Sequence, residues 1–109
     1  MQKFTIYLGL SDRITKQMTM SKEKALRLTS DIVGDCTISE CIGYYTDLNG
    51  IQTPEITFKI EKLDFTNNCN IDIIIDQLGL LFNQESIALE TSIVNSRLIY
   101  IEHTETVAA

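Results

Sequence analysis

Two stretches with apolar residues at helical spacing, each set between stretches that alternate at period two, constrain this chain most. "KFTIYLGL" (Lys3 to Leu10) alternates Phe4, Ile6 and Leu8 with Thr5 and Tyr7, so it reads as a strand ending at Gly9. After a polar loop over 11–20, Ser21 is placed to cap a helix with Glu23 in its first turn. Ala25, Leu28 and Ile32, with Leu26 and Val33, recur at helical spacing until Gly34 stops the run. "CTISECIGYYTD" (Cys36 to Asp47) is β-branched and aromatic, "LNG" at 48–50 signals a turn, and Ile56, Phe58 and Ile60 then alternate with polar residues. These two segments predict a hairpin.

A second helix follows. Asn70 is its expected cap, Ile71, Ile74, Ile75, Leu78, Leu81 and Phe82 share one face, and Asp72 and Asp76 sit apart from it. The polar break Asn83-Gln84-Glu85-Ser86 leads into "SIALETSIV" and, past "NS", into "RLIYIE". The order predicts an α+β fold, a ferredoxin-like β-α-β-β-α-β with an extra C-terminal edge strand and two helices on one face of an antiparallel sheet. A single domain is expected over 1–102 with a disordered tail over 103–109, because no linker, repeat or low-complexity tract divides the 109 residues. In "RLIYIE" both faces are apolar, so the uncovered face of the sheet is expected to be apolar and to meet a second copy in a homodimer.

Composition limits the function classes. The formal net charge of −6 argues against a binder of duplex nucleic acid, which needs a cationic surface. Residues 1–50 carry six basic and six acidic side chains, residues 51–109 three basic and nine acidic, so the excess lies in the second half. Within the first half, Arg13, Lys16, Lys22, Lys24 and Arg27 form a local cationic segment that could meet an anion. No apolar run approaches a membrane span and the first ten residues do not read as a signal peptide, so a cytoplasmic protein is expected. Cys36, Cys41 and Cys69 lack zinc-type spacing and read as small core residues in a reducing compartment.

Four pieces, "IYLGLS" (Ile6 to Ser11), "DCTISECIGYY" (Asp35 to Tyr45), "GIQTPE" (Gly50 to Glu55) and "FNQESI" (Phe82 to Ile87), occur in the order of motifs of a known family. With them the chain resembles an uncharacterised bacterial and phage domain-of-unknown-function family. That family opens on an L-Y-F-G-L-S strand, continues with G-[FL]-T-V-x-x-A-x-G-x-W and a G-x-x-x-x-E turn, and closes on F-x-Q-E-S-V. Here Tyr45 stands in place of the tryptophan, Cys41 of the alanine and Asp35 of the first glycine. The resemblance implies a ferredoxin-like fold, no established activity and a phage or mobile-element setting.

Catalytic signatures are absent. The one histidine, His103, stands near the C-terminus, no nucleophile elbow, zincin motif or phosphate-binding glycine loop occurs, and nothing calls for a cofactor or a metal. The leading expectation is a small non-enzymatic homo-oligomeric protein that inhibits or docks on a host defence or nucleic-acid-processing protein. Its docking residues would be Glu61, Asp64, Asp72, Asp76 and Glu90 of the acidic half. The alternatives are a binder of a small anionic nucleotide-type ligand and an enzyme acting on a small metabolite around "NQES". Tyr7, Arg13, Lys16, Arg27, Tyr44, Tyr45, Gln84 and Glu85 are the candidate ligand residues. "NQES" also has a purely structural reading, a joint in which Asn83 takes the left-handed conformation at a helix end.

Overall fold

The computed structural model describes residues 1–104. Six elements run in the order β1 (Gln2–Gly9), α1 (Lys22–Val33), β2 (Thr37–Thr46), β3 (Gln52–Leu63), α2 (Ile71–Leu81) and β4 (Ala88–Ile93). The strands form one sheet in the order β2-β3-β1-β4, every pair antiparallel, which is the ferredoxin-like arrangement.

Period two decides which side chains meet the helices. Phe4, Ile6 and Leu8 of β1 and Phe58 and Ile60 of β3 are buried, and all but Phe4 pack in one cluster with Ala25 and Val33 of α1 and with Ile74, Leu78 and Phe82 from α2 and its end. Both caps form as the sequence implies. Ser21 Oγ accepts from the Lys24 N–H at 3.2 Å, and Asn70 Oδ1 accepts from the Ile73 N–H at 3.3 Å. Gly34 ends α1 at φ 78°, a conformation that costs glycine little. The buried line of α1 is Ala25, Thr29 and Val33, so Leu26, expected in the core, turns out to be exposed.

Three expectations are corrected. "RLIYIE" is not a strand; regular structure ends at Ile93, and residues 95–104 run on as an extended arm outside the sheet. The reason is local: the last β1–β4 contact is the Val94 N–H donating to the Met1 carbonyl at 2.9 Å, and β1 offers nothing to pair with beyond its own start. The expected disordered tail begins inside this arm at 103 and 104, and its remainder, 105–109, lies outside the described residues. Second, the uncovered face of the sheet is polar. Register places Lys3, Tyr7, Lys59, Glu61, Glu90 and Ser92 there, with the buried Thr5 and Thr57 between them. The apolar homodimer surface expected of this face therefore loses its basis. Third, Cys41 is an exposed residue of the edge strand β2, with its thiol donating to the Thr57 carbonyl at 3.4 Å; Cys36 and Cys69 are half-buried, and burial pushes both thiols up.

β3 outruns β1. Its register with β1 starts at Thr57 and the last bond to the β1 side is the Leu10 N–H donating to the Ile56 carbonyl at 3.0 Å, so residues 52–55 pair with β2 alone, and Pro54 is tolerated there because no second neighbour asks for its N–H. The hairpin tip thus projects past the end of β1 and forms one wall of a cleft.

Candidate active site

The cleft opens on the polar face of the sheet, at the end of β1. Tyr7, Gly9, Tyr45, Thr53 and Glu55 come from the strands, Ser11, Asp12, Arg13 and Lys16 from the loop after β1, Thr46, Asp47 and Ile51 from the hairpin tip, and Gln84, Glu85 and Ser86 from the joint after α2.

The joint is built by left-handed backbone and paired amides. Asn83 adopts φ 46°, and the Gln84 N–H closes the helix end by donating to the Gly79 carbonyl at 2.9 Å. Asn83 then ties the joint to the first loop through three bonds. Its Nδ2 donates to Asp12 Oδ2 at 2.9 Å, its Oδ1 accepts from Arg13 Nε at 3.1 Å, and its carbonyl accepts from the Arg13 N–H at 3.0 Å. Gln84 Nε2 donates to the Ser11 carbonyl at 2.6 Å. The polar break is therefore a joint and a site wall at once.

Asp12 also accepts from the Ile14 and Thr15 N–H groups. Asn83 first and these amides next hold its carboxyl below the usual carboxylate range. Asp47 organises the hairpin tip in the same way, accepting from the Asn49 and Ile51 N–H groups and from Lys16 Nζ at 3.1 Å. The Ile51 amide and then Lys16 keep it low as well.

Glu55 is set differently. Its Oε2 accepts from the Ser11 N–H at 2.9 Å, and its carboxylate lies flat against the β1 backbone at Gly9. A Cβ on Gly9 would stand 2.1 Å from Glu55 Oε1, so only glycine leaves the carboxylate this seat. Gly43 serves Tyr45 likewise: a Cβ there would come within 2.4 Å of the Tyr45 ring, which lies folded over the β2 backbone with its hydroxyl 3.4 Å from Thr57 Oγ1. Glu90 sits beside Tyr7 and, chiefly as its hydrogen-bond partner, raises that phenol above its ordinary value.

Asp12, Asp47, Glu55 and Glu85 outnumber Arg13 and Lys16 in this cleft; Lys16 is paired with Asp47, while Arg13 is positioned by the neutral Asn83 and keeps its charge. A ligand therefore meets an excess of negative charge and two phenol rings. An anion would meet the wrong field, whereas a cation with an aromatic part would meet a suitable one.

Six of the eight ligand residues read from the sequence, Tyr7, Arg13, Lys16, Tyr45, Gln84 and Glu85, are brought together here. Tyr44 is not, since adjacent strand residues point to opposite faces and Tyr44 takes the helix side, opposite Pro54. Arg27 lies exposed on α1, away from the cleft. The acidic docking residues are scattered. Glu61 on β3 pairs with Lys3 and Lys59, Glu90 stands on β4, and Asp72 and Asp76 are exposed on α2. Asp64 is buried and accepts from the Cys69 N–H at 3.1 Å, so it holds the β3–α2 turn instead of facing a partner. Glu55, which closes the G-x-x-x-x-E turn in the sequence, is missing from the ligand residues read there; the signal for its role is the glycine ending β1 together with a glutamate on the polar side of the longer neighbouring strand. Among the described residues no cluster of metal-ligating side chains occurs, and no helix is long and apolar enough to cross a membrane.

No family model and no curated protein matches the chain. Two solved structures do. A phage SAM lyase in complex with S-methyl-5'-thioadenosine is similar with a TM-score of 0.71 at 20% identity, over 84% of this chain and 79% of that one. A phage SAM lyase in the apo state is similar with a TM-score of 0.62 at 21% identity, over 84% of this chain and 78% of that one. These matches overturn the expectation of a non-enzymatic docking protein, because the fold this chain shares is that of a phage enzyme.

Proposed function

We propose that the chain is an enzyme that binds S-adenosylmethionine in this cleft and breaks its bond between sulfur and the four-carbon side chain. The observation that carries the reading is Glu55, a carboxylate seated on Gly9 and fixed by the Ser11 amide, in a negatively charged, tyrosine-lined cleft. The fold shared with a phage SAM lyase supports it. The substrate has a sulfonium, an ammonium and an aromatic base, which is the chemistry such a cleft selects.

In the reaction the bond between sulfur and Cγ breaks and its electron pair stays on sulfur, so the sulfonium becomes the neutral thioether of S-methyl-5'-thioadenosine. An oxygen of the substrate's own carboxylate takes Cγ and closes a five-membered lactone; no water is consumed and no proton is moved. Such a step asks the site to fold the substrate and hold the reacting atoms in line, which suits a cleft with no histidine among its lining residues. Positive charge on sulfur fades toward the transition state, so a carboxylate against sulfur would favour the bound substrate over the transition state. The reading therefore assigns Glu55 to the ammonium, whose charge persists, and the faces of Tyr45 and Tyr7 to the sulfonium and the base. A substrate of this kind belongs to the cell interior, so the reading puts the protein in the cytoplasm, which its three free thiols support.

The test is to incubate the purified protein with S-adenosylmethionine and follow S-methyl-5'-thioadenosine by chromatography and mass spectrometry. The reading expects turnover in the wild type and at least a ~100-fold loss of kcat/KM in Glu55→Gln, the scale of removing one partner of a charge pair with the substrate. Wild-type protein that leaves the substrate intact would refute it.

A further inference from the structure

Two of the apolar surfaces that lie open to water among the described residues match each other. The first is the arm, in which Leu98, Ile99, Tyr100 and Ile101 are 59 to 85% exposed. The second is the free edge of β2, a ten-residue strand whose helix-side residues Ile42 and Tyr44 are 60 and 65% exposed because the hairpin runs out beyond the helices. A run of four apolar residues outside regular structure gains nothing from staying in water, and an open edge strand presents unpaired backbone groups along its length.

We infer that the arm of one copy, residues 97–102, adds as a fifth strand along the β2 edge of a second copy. One parallel register satisfies charge and packing together. It sets Arg97 beside Glu40, Ile99 beside Ile42 and Ile101 beside Tyr44 on the helix side, with Leu98 beside Cys41 on the other face. The Glu40 carboxylate is exposed and only half occupied by Lys22 at 3.4 Å, so a second cation can reach it. Antiparallel pairing of two arms with each other would also match Arg97 to Glu102. That pairing, however, leaves an isolated two-stranded ribbon, apolar on both faces, which is marginal in water, whereas addition to β2 extends a sheet that already has a core. Because arm and edge are different surfaces, the contact is head-to-tail, and copies close into a ring when the rotation permits. None of this depends on the chemistry of the cleft.

The experiment uses the full chain at about 100 µM, a concentration at which such a contact should be populated, with light scattering and oxidative cross-linking. The wild type is expected to be oligomeric, and Ile99→Asp with Ile101→Asp monomeric. Adjacent strands lie about 4.8 Å apart, within reach of a disulfide. Leu98→Cys should therefore yield an intermolecular disulfide with the native Cys41 that disappears when Cys41→Ser is added. Arg97→Glu should weaken association at least ~10-fold and Glu40→Arg should restore it, as expected of a paired charge at an interface. A monomeric wild type, or a Leu98→Cys cross-link that survives Cys41→Ser, would overturn the proposal, the latter in favour of arm-to-arm pairing.

Discussion

The joint around Asn83 and the arm after Val94 are both segments that follow regular structure, yet they treat their surroundings in opposite ways. At the joint the polar groups of Asn83 and Gln84 are spoken for. Asn83 bonds Asp12 and Arg13, Gln84 bonds Gly79 and Ser11, and Asp12 bonds two further amides. In the arm, among the described residues, no such bond ties 95–104 to the body, and its apolar side chains face water. A segment satisfied by its own chain can hold a rigid wall against a ligand. A segment left unsatisfied is built to be completed by something else. Damage at the joint and cleft should therefore register in chemistry and stability, and damage in the arm in association alone.

The largest effect expected is on turnover. Gly9→Ala leaves the strand conformation allowed but pushes its methyl into the Glu55 carboxylate, a flexible end that can move away. kcat/KM for cleavage of S-adenosylmethionine should fall at least ~10-fold while the melting temperature stays close to wild type, because the displacement spoils positioning and not packing. A large drop in melting temperature instead would mean that Glu55 is held there for the fold.

Next in size is the joint itself. Asn83→Ala removes both side-chain bonds and the short polar side chain that lets asparagine tolerate φ 46°, which should cost about 1–2 kcal/mol in denaturant unfolding. By contrast Leu98→Asp with Ile101→Asp, measured at high dilution where copies are apart, should change stability by no more than about 0.5 kcal/mol. An arm variant as damaging as the joint variant would erase the distinction drawn between the two segments.

The smallest effect concerns acid. Asp12 and Asp47 have carboxyls held below their ordinary value in the folded protein, so what they contribute is present above the unfolded value, near pH 4, and is lost as pH falls through their lower folded values. Thermal melts should thus decline from about pH 4 downwards, and less steeply in Asp12→Asn, which keeps an acceptor without the titration. An unchanged slope in Asp12→Asn would mean that the acid sensitivity arises elsewhere.

The elements were legible because their signals are local. Ser21 and Asn70 as caps, Gly34 as a stop and the alternation of Phe4, Ile6 and Leu8 each act within one turn or one strand. Asn83 was legible for the same reason, since few residues take a left-handed conformation at a helix end. The cleft was half legible. Tyr45, Gln84 and Arg13 can be singled out by residue type, but Tyr44 was misplaced because a shift of one residue in register changes the face. Glu55 was hidden because its role depends on Gly9 across the sheet and on β3 outrunning β1, facts of pairing that no single segment carries. The arm misled for a complementary reason: "RLIYIE" has the composition of a strand, and composition says nothing of whether the same chain supplies a partner.

The most direct test of the account is the fate of S-adenosylmethionine mixed with the purified wild type and, separately, with Glu55→Gln. Release of S-methyl-5'-thioadenosine by the wild type, at least ~100-fold slower with Glu55→Gln at unchanged melting temperature, is the predicted result. Intact substrate in both samples, or equal turnover in both, would contradict the assignment of this cleft.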